Sequence, residues 1–210
     1  MKNTLKTASF LLVLSFTVHA GEAVSLFDGK TLKGWKTVIK GDAKFWSVVD
    51  GVITGGDGVE KIPHNSFLRT VKAYGDFEFR CLFRLTGDPS QGLINSGIQY
   101  RSSEDGTHMI GYQADIGNKY WGDIYDEQRR KRALLKGDLS TLTKILKPFG
   151  WNSYTVRCKG NHHQTYINGV KVADYVEEDP SIPFSGFIGV QLHSGGNAKI
   201  EISDVTITEL

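Results

Sequence analysis

Between positions 95 and 132 the chain reads NSGIQYRSSEDGTHMIGYQADIGNKYWGDIYDEQRRKR, its densest collection of polar groups able to face a binding site. Gln99 and Arg101 alternate with Ile98 and Tyr100, and Gln113 and Asp115 alternate with Tyr112, Ala114 and Ile116. A strand sends successive side chains to opposite faces, so one face of these runs is apolar and the other carries amides, a guanidinium and a carboxylate. The run 122–127 adds Tyr125, Asp126 and Glu127, with Tyr120 and Trp121 beside it. Far downstream, 187–193 sets Gln191 and His193 against Ile188, Val190 and Leu192. Such a face can hold hydroxyls and stack an aromatic ring on a sugar. The plainer reading is the solvated outer face of an antiparallel sheet. A site is favoured because Arg, Gln, Asp and Tyr recur where Lys, Thr and Glu would serve solubility better. Individual residues also have plainer uses: Asp115 could pair with Arg101 across adjacent strands, and Asp126 and Glu127 could be turn residues. Asp115, Glu127 and His193 are suitable ligand types for a divalent ion, although their spacing is not diagnostic.

The elements that must position these residues are mostly strands. The run 76–85 puts Phe77, Phe79, Cys81, Phe83 and Leu85 on one face, and Glu78, Arg80 and Arg84 on the other. Asp50-Gly51 and Asn168-Gly169 predict tight hairpins, since both dipeptides tolerate positive backbone angles. Further strands are expected near 23–27, 35–39, 45–49, 66–70, 151–158 and 199–210, the last with a bulge at Ser203-Asp204, where the apolar phase slips. One helix is expected, over 138–147, capped by Asp138 or Ser140 and stopped by Pro148. A dozen or so short strands with almost no helix predict an all-β antiparallel sandwich in one domain.

The first twenty residues read as a secretory leader rather than part of the fold. Lys2 and Lys6 are followed by an apolar run too short to span a bilayer, and Val18-His19-Ala20 offers small residues for cleavage near Ala20. The expected mature protein, 21–210, is exported to the periplasm or secreted, with no membrane span. Losing the leader lowers Lys plus Arg from 25 to 23, equal to the 23 Asp plus Glu. That neutral balance argues against a nucleic-acid partner, and the basic run 129–132 reads as a solvated loop. Cys81 and Cys158 lie at apolar phase in strands; export permits a disulfide, and two buried free thiols fit equally well. Neighbouring His162 and His163 would point to opposite faces, which argues against a metal pair and places them at the surface. His64 and His108 fall in loops.

Eight segments occurring in order, LFDGKTLKGW, FEFRCLFRL, NSGIQYRS, GYQADIG, YWGDIYDE, WNSYTV, INGV and GFIGVQLHSGG, resemble the 3-keto-disaccharide hydrolase family across essentially the whole of 21–210. That family is similar to the concanavalin A-like lectins and glucanases. The resemblance implies a jelly roll of two antiparallel sheets with ligand on the concave face, and exported bacterial proteins acting on glycosides oxidised to a ketone at sugar carbon 3. The superfamily's glucanases carry Glu-x-Asp-x-Glu on one concave strand. Here the nearest analogue is Gln113-x-Asp115, which speaks against ordinary two-carboxylate hydrolysis. A ketone at carbon 3 acidifies the hydrogen on carbon 2, so a base can start an elimination that expels the group on carbon 1, and water then adds. The polar face can supply the groups this chemistry needs: Asp115 or His193 as base, Arg101 on the enolate oxygen, and Glu127 or Asp126 as acid. Gln99, Gln113, Gln191 and Tyr125 would contact the substrate, with Trp121 stacked on the sugar. A non-catalytic carbohydrate-binding module would use the same face, and a purely structural domain would need neither.

Overall fold

A computed structural model describes residues 21–210; the leader read at 1–20 lies outside the described residues. Among the described residues, fifteen strands form two antiparallel sheets. In chain order they are β1 (Val24–Ser25), β2 (Trp35–Thr37), β3 (Trp46–Val49), β4 (Val52–Gly55), β5 (Ser66–Tyr74), β6 (Phe77–Thr86), β7 (Asn95–Glu104), β8 (Met109–Gly117), β9 (Ile124–Glu127), β10 (Arg132–Leu135), β11 (Asn152–Lys159), β12 (His162–Ile167), β13 (Val170–Val176), β14 (Gly186–Leu192) and β15 (Lys199–Glu209). One sheet runs β13-β12-β11-β6-β15-β4-β3, with β1 added beside β15; the other runs β10-β9-β8-β7-β14-β5-β2. The only α-helix among the described residues is α1 (Leu139–Ile145), where the Asp138 carboxylate accepts from the backbone N–H groups of Ser140 and Thr141, as an N-cap should.

The core lies between the sheets. From one side β6 contributes Phe77, Phe79, Cys81, Phe83 and Leu85; from the other come Ile98, Tyr100, Tyr112, Ala114, Ile116, Val190 and Leu192, all buried. Burying each large apolar side chain contributes about 1.5–3 kcal/mol. Asp50-Gly51 and Asn168-Gly169 make the expected turns, each with positive φ at both residues. Strand β15 shifts register between Ser203 and Thr206, with Asp204 at φ +49°. This bulge brings Ile202, Val205 and Ile207 all into the core.

Several sequence expectations need correcting. The basic run is not a solvated loop: Arg129 and Arg130 pair with buried Asp126, Arg130 also grips Glu177, and Arg132 opens β10. His162 is at the surface beside Asp174, but His163 is completely buried against Tyr100 and Tyr112, because it shares the core phase of Thr165 and Ile167. Burial pushes its pKa down to about 3, helped by the nearby Arg101 charge, so it stays neutral. Cys81 and Cys158 are free and buried, and burial pushes the Cys158 thiol up to about 12.

Candidate active site

The site lies on the face of the β8-β7-β14 sheet that is turned away from the core. Antiparallel register fixes its rows. Gly97 on β7 is flanked by Asp115 on β8 and Gln191 on β14, and Gln99 is flanked by Gln113 and Gly189. At the neighbouring edge Tyr125 pairs with Gln113, and Glu127 pairs with Gly111. Asn65, Leu93, Asn95, Gln113, Asp115, Tyr120, Tyr125, Glu127, Gln191 and His193 line one cleft of about 230 Å³. Six of the residues expected from sequence are thus brought together: Gln113, Asp115, Tyr125, Glu127, Gln191 and His193.

Gly97 makes the floor possible. A Cβ at this position would lie 2.5 Å from Gln113 Cγ, so only glycine lets the Gln113 side chain lie across β7. Gln113 then organises its neighbours. Its Oε1 accepts from Gln99 Nε2 at 2.8 Å, while its Nε2 donates to Asp115 Oδ1 at 2.6 Å and to Gln191 Oε1 at 3.2 Å. Gln99 is held in turn by the Ser102 hydroxyl at 2.8 Å. Gln99 was expected to contact substrate; it is instead fully buried behind the cleft and fixes the Gln113 amide.

Burial is the dominant cause that pushes the Asp115 carboxyl well above the usual carboxylate range; repulsion from Asp123 and Glu127 adds to it, and the Gln113 hydrogen bond opposes it. Glu127 is also raised by burial, with Gln128, His193 and other neighbours favouring its charged form. Burial thus raises two carboxyls in one cleft, and Asp115, only 4 % exposed, is the more deeply buried of the two. His193 is oriented by Ser194, whose carbonyl lies 2.7 Å from Nδ1. A carbonyl only accepts, so Nδ1 carries the hydrogen and the neutral ring keeps its lone pair on Nε2.

Three expected site residues lie elsewhere. Arg101 occupies a β-bulge, at φ +46°, where β7 and β8 shift register between Tyr100 and Ser103. The bulge turns its side chain out of the Gln99 phase and into the joint between the sheets. There it is fully buried and donates to Asp76 Oδ1 at 2.8 Å, Gly75 O at 3.1 Å and Gly160 O at 2.5 Å. It therefore cannot serve the enolate oxygen. Asp126 shares the phase of Tyr112, faces inward and pairs with Arg129 and Arg130. Trp121 packs on the core beside Phe83 at 6.2 Å between ring centroids. The aromatic wall of the cleft is Tyr120 and Tyr125 instead. Asn65, Leu93 and Asn95 were not foreseen. Asn65 precedes β5 and accepts from the Ser194 N–H at 2.9 Å, a loop-to-loop contact that no strand alternation signals. Among the described residues no group of three His, Cys, Asp or Glu side chains is placed to hold a metal ion, so Asp115, Glu127 and His193 do not form the ligand set considered above.

Comparison with known proteins agrees with this architecture. The chain matches the 3-keto-alpha-glucoside-1,2-lyase-like domain family over residues 22–208. Among solved structures it is similar to a candidate glycosyl hydrolase from Parabacteroides distasonis, with TM-score 0.67 and 22% identity over 90% of this chain and 94% of that one. It is also similar to the carbohydrate-binding module CBM66 from Bacillus subtilis, with TM-score 0.62 and 15% identity over 83% and 94% of the two chains. A Bacillus subtilis protein of unknown function with a galectin-like fold gives TM-score 0.62 at 10% identity over 85% and 90%. These likenesses establish the jelly-roll fold. No curated protein matches the chain.

Proposed function

Because the chain belongs to the 3-keto-alpha-glucoside-1,2-lyase-like domain family, we propose that it cleaves glycosides bearing a ketone at sugar carbon 3, by elimination across carbons 1 and 2 followed by addition of water. The observation that carries this reading is the pairing of a buried carboxyl with an oriented imidazole in one cleft. One deeply buried carboxyl, Asp115, whose pKa burial raises, lies in the same cleft as one imidazole, His193, whose Nδ1 is held by a backbone carbonyl and whose Nε2 is left free to accept a proton.

In this reading His193 Nε2 takes the hydrogen from carbon 2. The electron pair of that C–H bond moves onto the ketone as an enolate, and the Glu127 carboxylate favours the imidazolium that results. The enolate then re-forms the ketone and makes a carbon 1–carbon 2 double bond while the bond from carbon 1 to the leaving oxygen breaks. Asp115 gives that oxygen its proton. Water added across the double bond returns a free 3-keto sugar. Asp115 or His193 was the expected base; in this reading the buried Asp115 carboxyl, with its raised pKa, takes the acid's role instead. An unoxidised sugar has no acidified hydrogen at carbon 2, so it should pass through the cleft unchanged. Export of the mature protein, read from the leader, would put its substrates outside the cytoplasm.

The test is incubation with a disaccharide and with its 3-keto form, following unsaturated and hydrated products by mass spectrometry. Cleavage of the keto form alone supports the proposal. Equal cleavage of both refutes the enolate step. Binding of both without turnover assigns the cleft to a carbohydrate-binding module, for which the exposed Tyr120 ring is already suited.

A further inference from the structure

With Arg101 locked between the sheets, the cleft needs another donor for the oxygen that becomes negative. Gln191 is a fully buried side chain on the cleft floor, 1 % exposed. Its amide orientation is not free: Gln113 Nε2 donates to its Oε1, which turns the Gln191 Nε2 away from Gln113. That nitrogen is buried and has no partner among the protein's atoms. Leaving a buried donor without a partner is costly, and a ligand that supplies an acceptor at this point recovers that cost. The donor set around it is built in order from Ser102 to Gln99, Gln99 to Gln113, and Gln113 to Asp115 and Gln191 together.

We propose that the Gln191 Nε2 amide is the catalytic donor to the carbon 3 oxygen of the substrate, and that Gln113 is the positioning residue that holds this donor and the Asp115 acid in register. This rests on the 3-keto-glycoside reading above. The placement fits the ring. Gln191 lies near the end of β14 and His193 is the first residue beyond it, and both side chains line the same cleft. Asp115 and Gln191 both hydrogen-bond the same Gln113 nitrogen, so the acid and the oxyanion donor face neighbouring atoms of one small ligand. Carbon 3 is thereby directed to Gln191, the hydrogen on carbon 2 to His193, and the departing oxygen on carbon 1 to Asp115. A donor aimed at the atom where charge grows strengthens its bond as the reaction proceeds.

The probe is 1,5-anhydroglucitol oxidised at carbon 3, which has no leaving group, so its carbon 2 hydrogen exchanges with deuterated water only through the enolate. Wild-type protein should catalyse this exchange, read by proton NMR. Gln191→Glu is the decisive variant, because it keeps the shape and the oxygen that receives Gln113 but removes the N–H. Exchange should fall about 100- to 1000-fold, the usual loss for one oxyanion donor. Gln191→Leu should fall at least as far, and circular dichroism should show both variants folded. Should the leucine variant fail to fold, the isosteric Gln191→Glu still decides. If Gln191→Glu exchanges within about threefold of wild type, well short of the loss of an oxyanion donor, Gln191 is not that donor while the enolate reading survives. If the wild-type protein catalyses no exchange, the enolate reading fails and this assignment falls with it.

Discussion

Asp115→Asn separates the acid's role from the base's. The substitution is isosteric, and the carbonyl of the new side-chain amide can still accept the 2.6 Å hydrogen bond from Gln113 Nε2, so the cleft should keep its shape. What is lost is the proton. General-acid assistance is typically worth about 100- to 10,000-fold, which at about 1.36 kcal/mol per decade is roughly 2.7–5.4 kcal/mol of barrier. That loss should depend on the leaving group. A sugar alkoxide needs a proton to depart, whereas 4-nitrophenoxide does not. The assay therefore compares 3-keto-cellobiose with 4-nitrophenyl 3-keto-glucoside, for wild type and Asp115→Asn, across a range of pH. The variant should lose about two to four orders of magnitude on the disaccharide and at least about tenfold less on the nitrophenyl compound. The wild-type rate on the disaccharide should fall on the alkaline side, as pH rises through the elevated Asp115 pKa, because the acid must be protonated to act. Asp115→Asn should lack this limb. An equal loss on both substrates would mean that Asp115 removes the hydrogen from carbon 2, and the division of labour drawn from burial would be wrong.

The same carboxyl predicts a stability effect. Its folded pKa is raised by burial, so the native state holds this proton more tightly than the unfolded chain. Stability from it is full below about pH 4, the unfolded carboxylate value, and is lost as pH rises through the folded value. Asp115→Asn should therefore raise Tm near pH 7 and leave it nearly unchanged below about pH 4; a lower Tm at neutral pH would contradict the burial argument. Arg101→Ala should destabilise the fold by about 1.5–3 kcal/mol, as expected for losing hydrogen bonds made by a charged group, since the partly exposed Asp76 and two carbonyls lose a donor. The fraction that remains folded should keep its turnover rate; chemical denaturation and active-site-normalised kinetics check the two halves. Cys81 and Cys158 are buried, unpaired thiols, so Ellman's reagent should titrate neither before unfolding and both after it.

What the sequence disclosed was what strand alternation encodes. Phe77 to Leu85 read as one buried face and is one; Gln113, Asp115, Gln191 and His193 read as one polar face and line one cleft. Both tight hairpins followed from Asp-Gly and Asn-Gly, and the β15 bulge followed from the slipped phase of Ile202 and Val205. The failures share a cause. Alternation carries a residue's face forward only while the ladder is regular. The bulge at Arg101 breaks the ladder in a segment whose apolar pattern does not slip visibly, because the residues beyond it are polar. Asp126 was assigned by its neighbours' chemistry rather than by its pairing with Tyr112. Asn65 reaches the cleft through a loop contact with Ser194, which depends on tertiary packing alone.

The bulge also explains how one strand supports both stability and chemistry. Up to Tyr100, β7 alternates between the core and the cleft, with Gln99 feeding the amide chain that ends at Asp115 and Gln191. At Arg101 the backbone adopts a left-handed angle that a non-glycine residue rarely takes, at a cost of about 1–3 kcal/mol. Three hydrogen bonds from the buried guanidinium, one to a carboxylate and two to carbonyls, offset that cost. They tie β7 to the start of β6 and to the β11–β12 turn in the other sheet. Ser102, the next residue, is turned by the same bulge so that its hydroxyl reaches Gln99 Oε1. The irregularity therefore clamps the two sheets with one residue and supplies the first donor of the site's amide chain with the next. A change that regularised the ladder at residues 101–102 would loosen the fold and leave Gln113 without its fixed orientation.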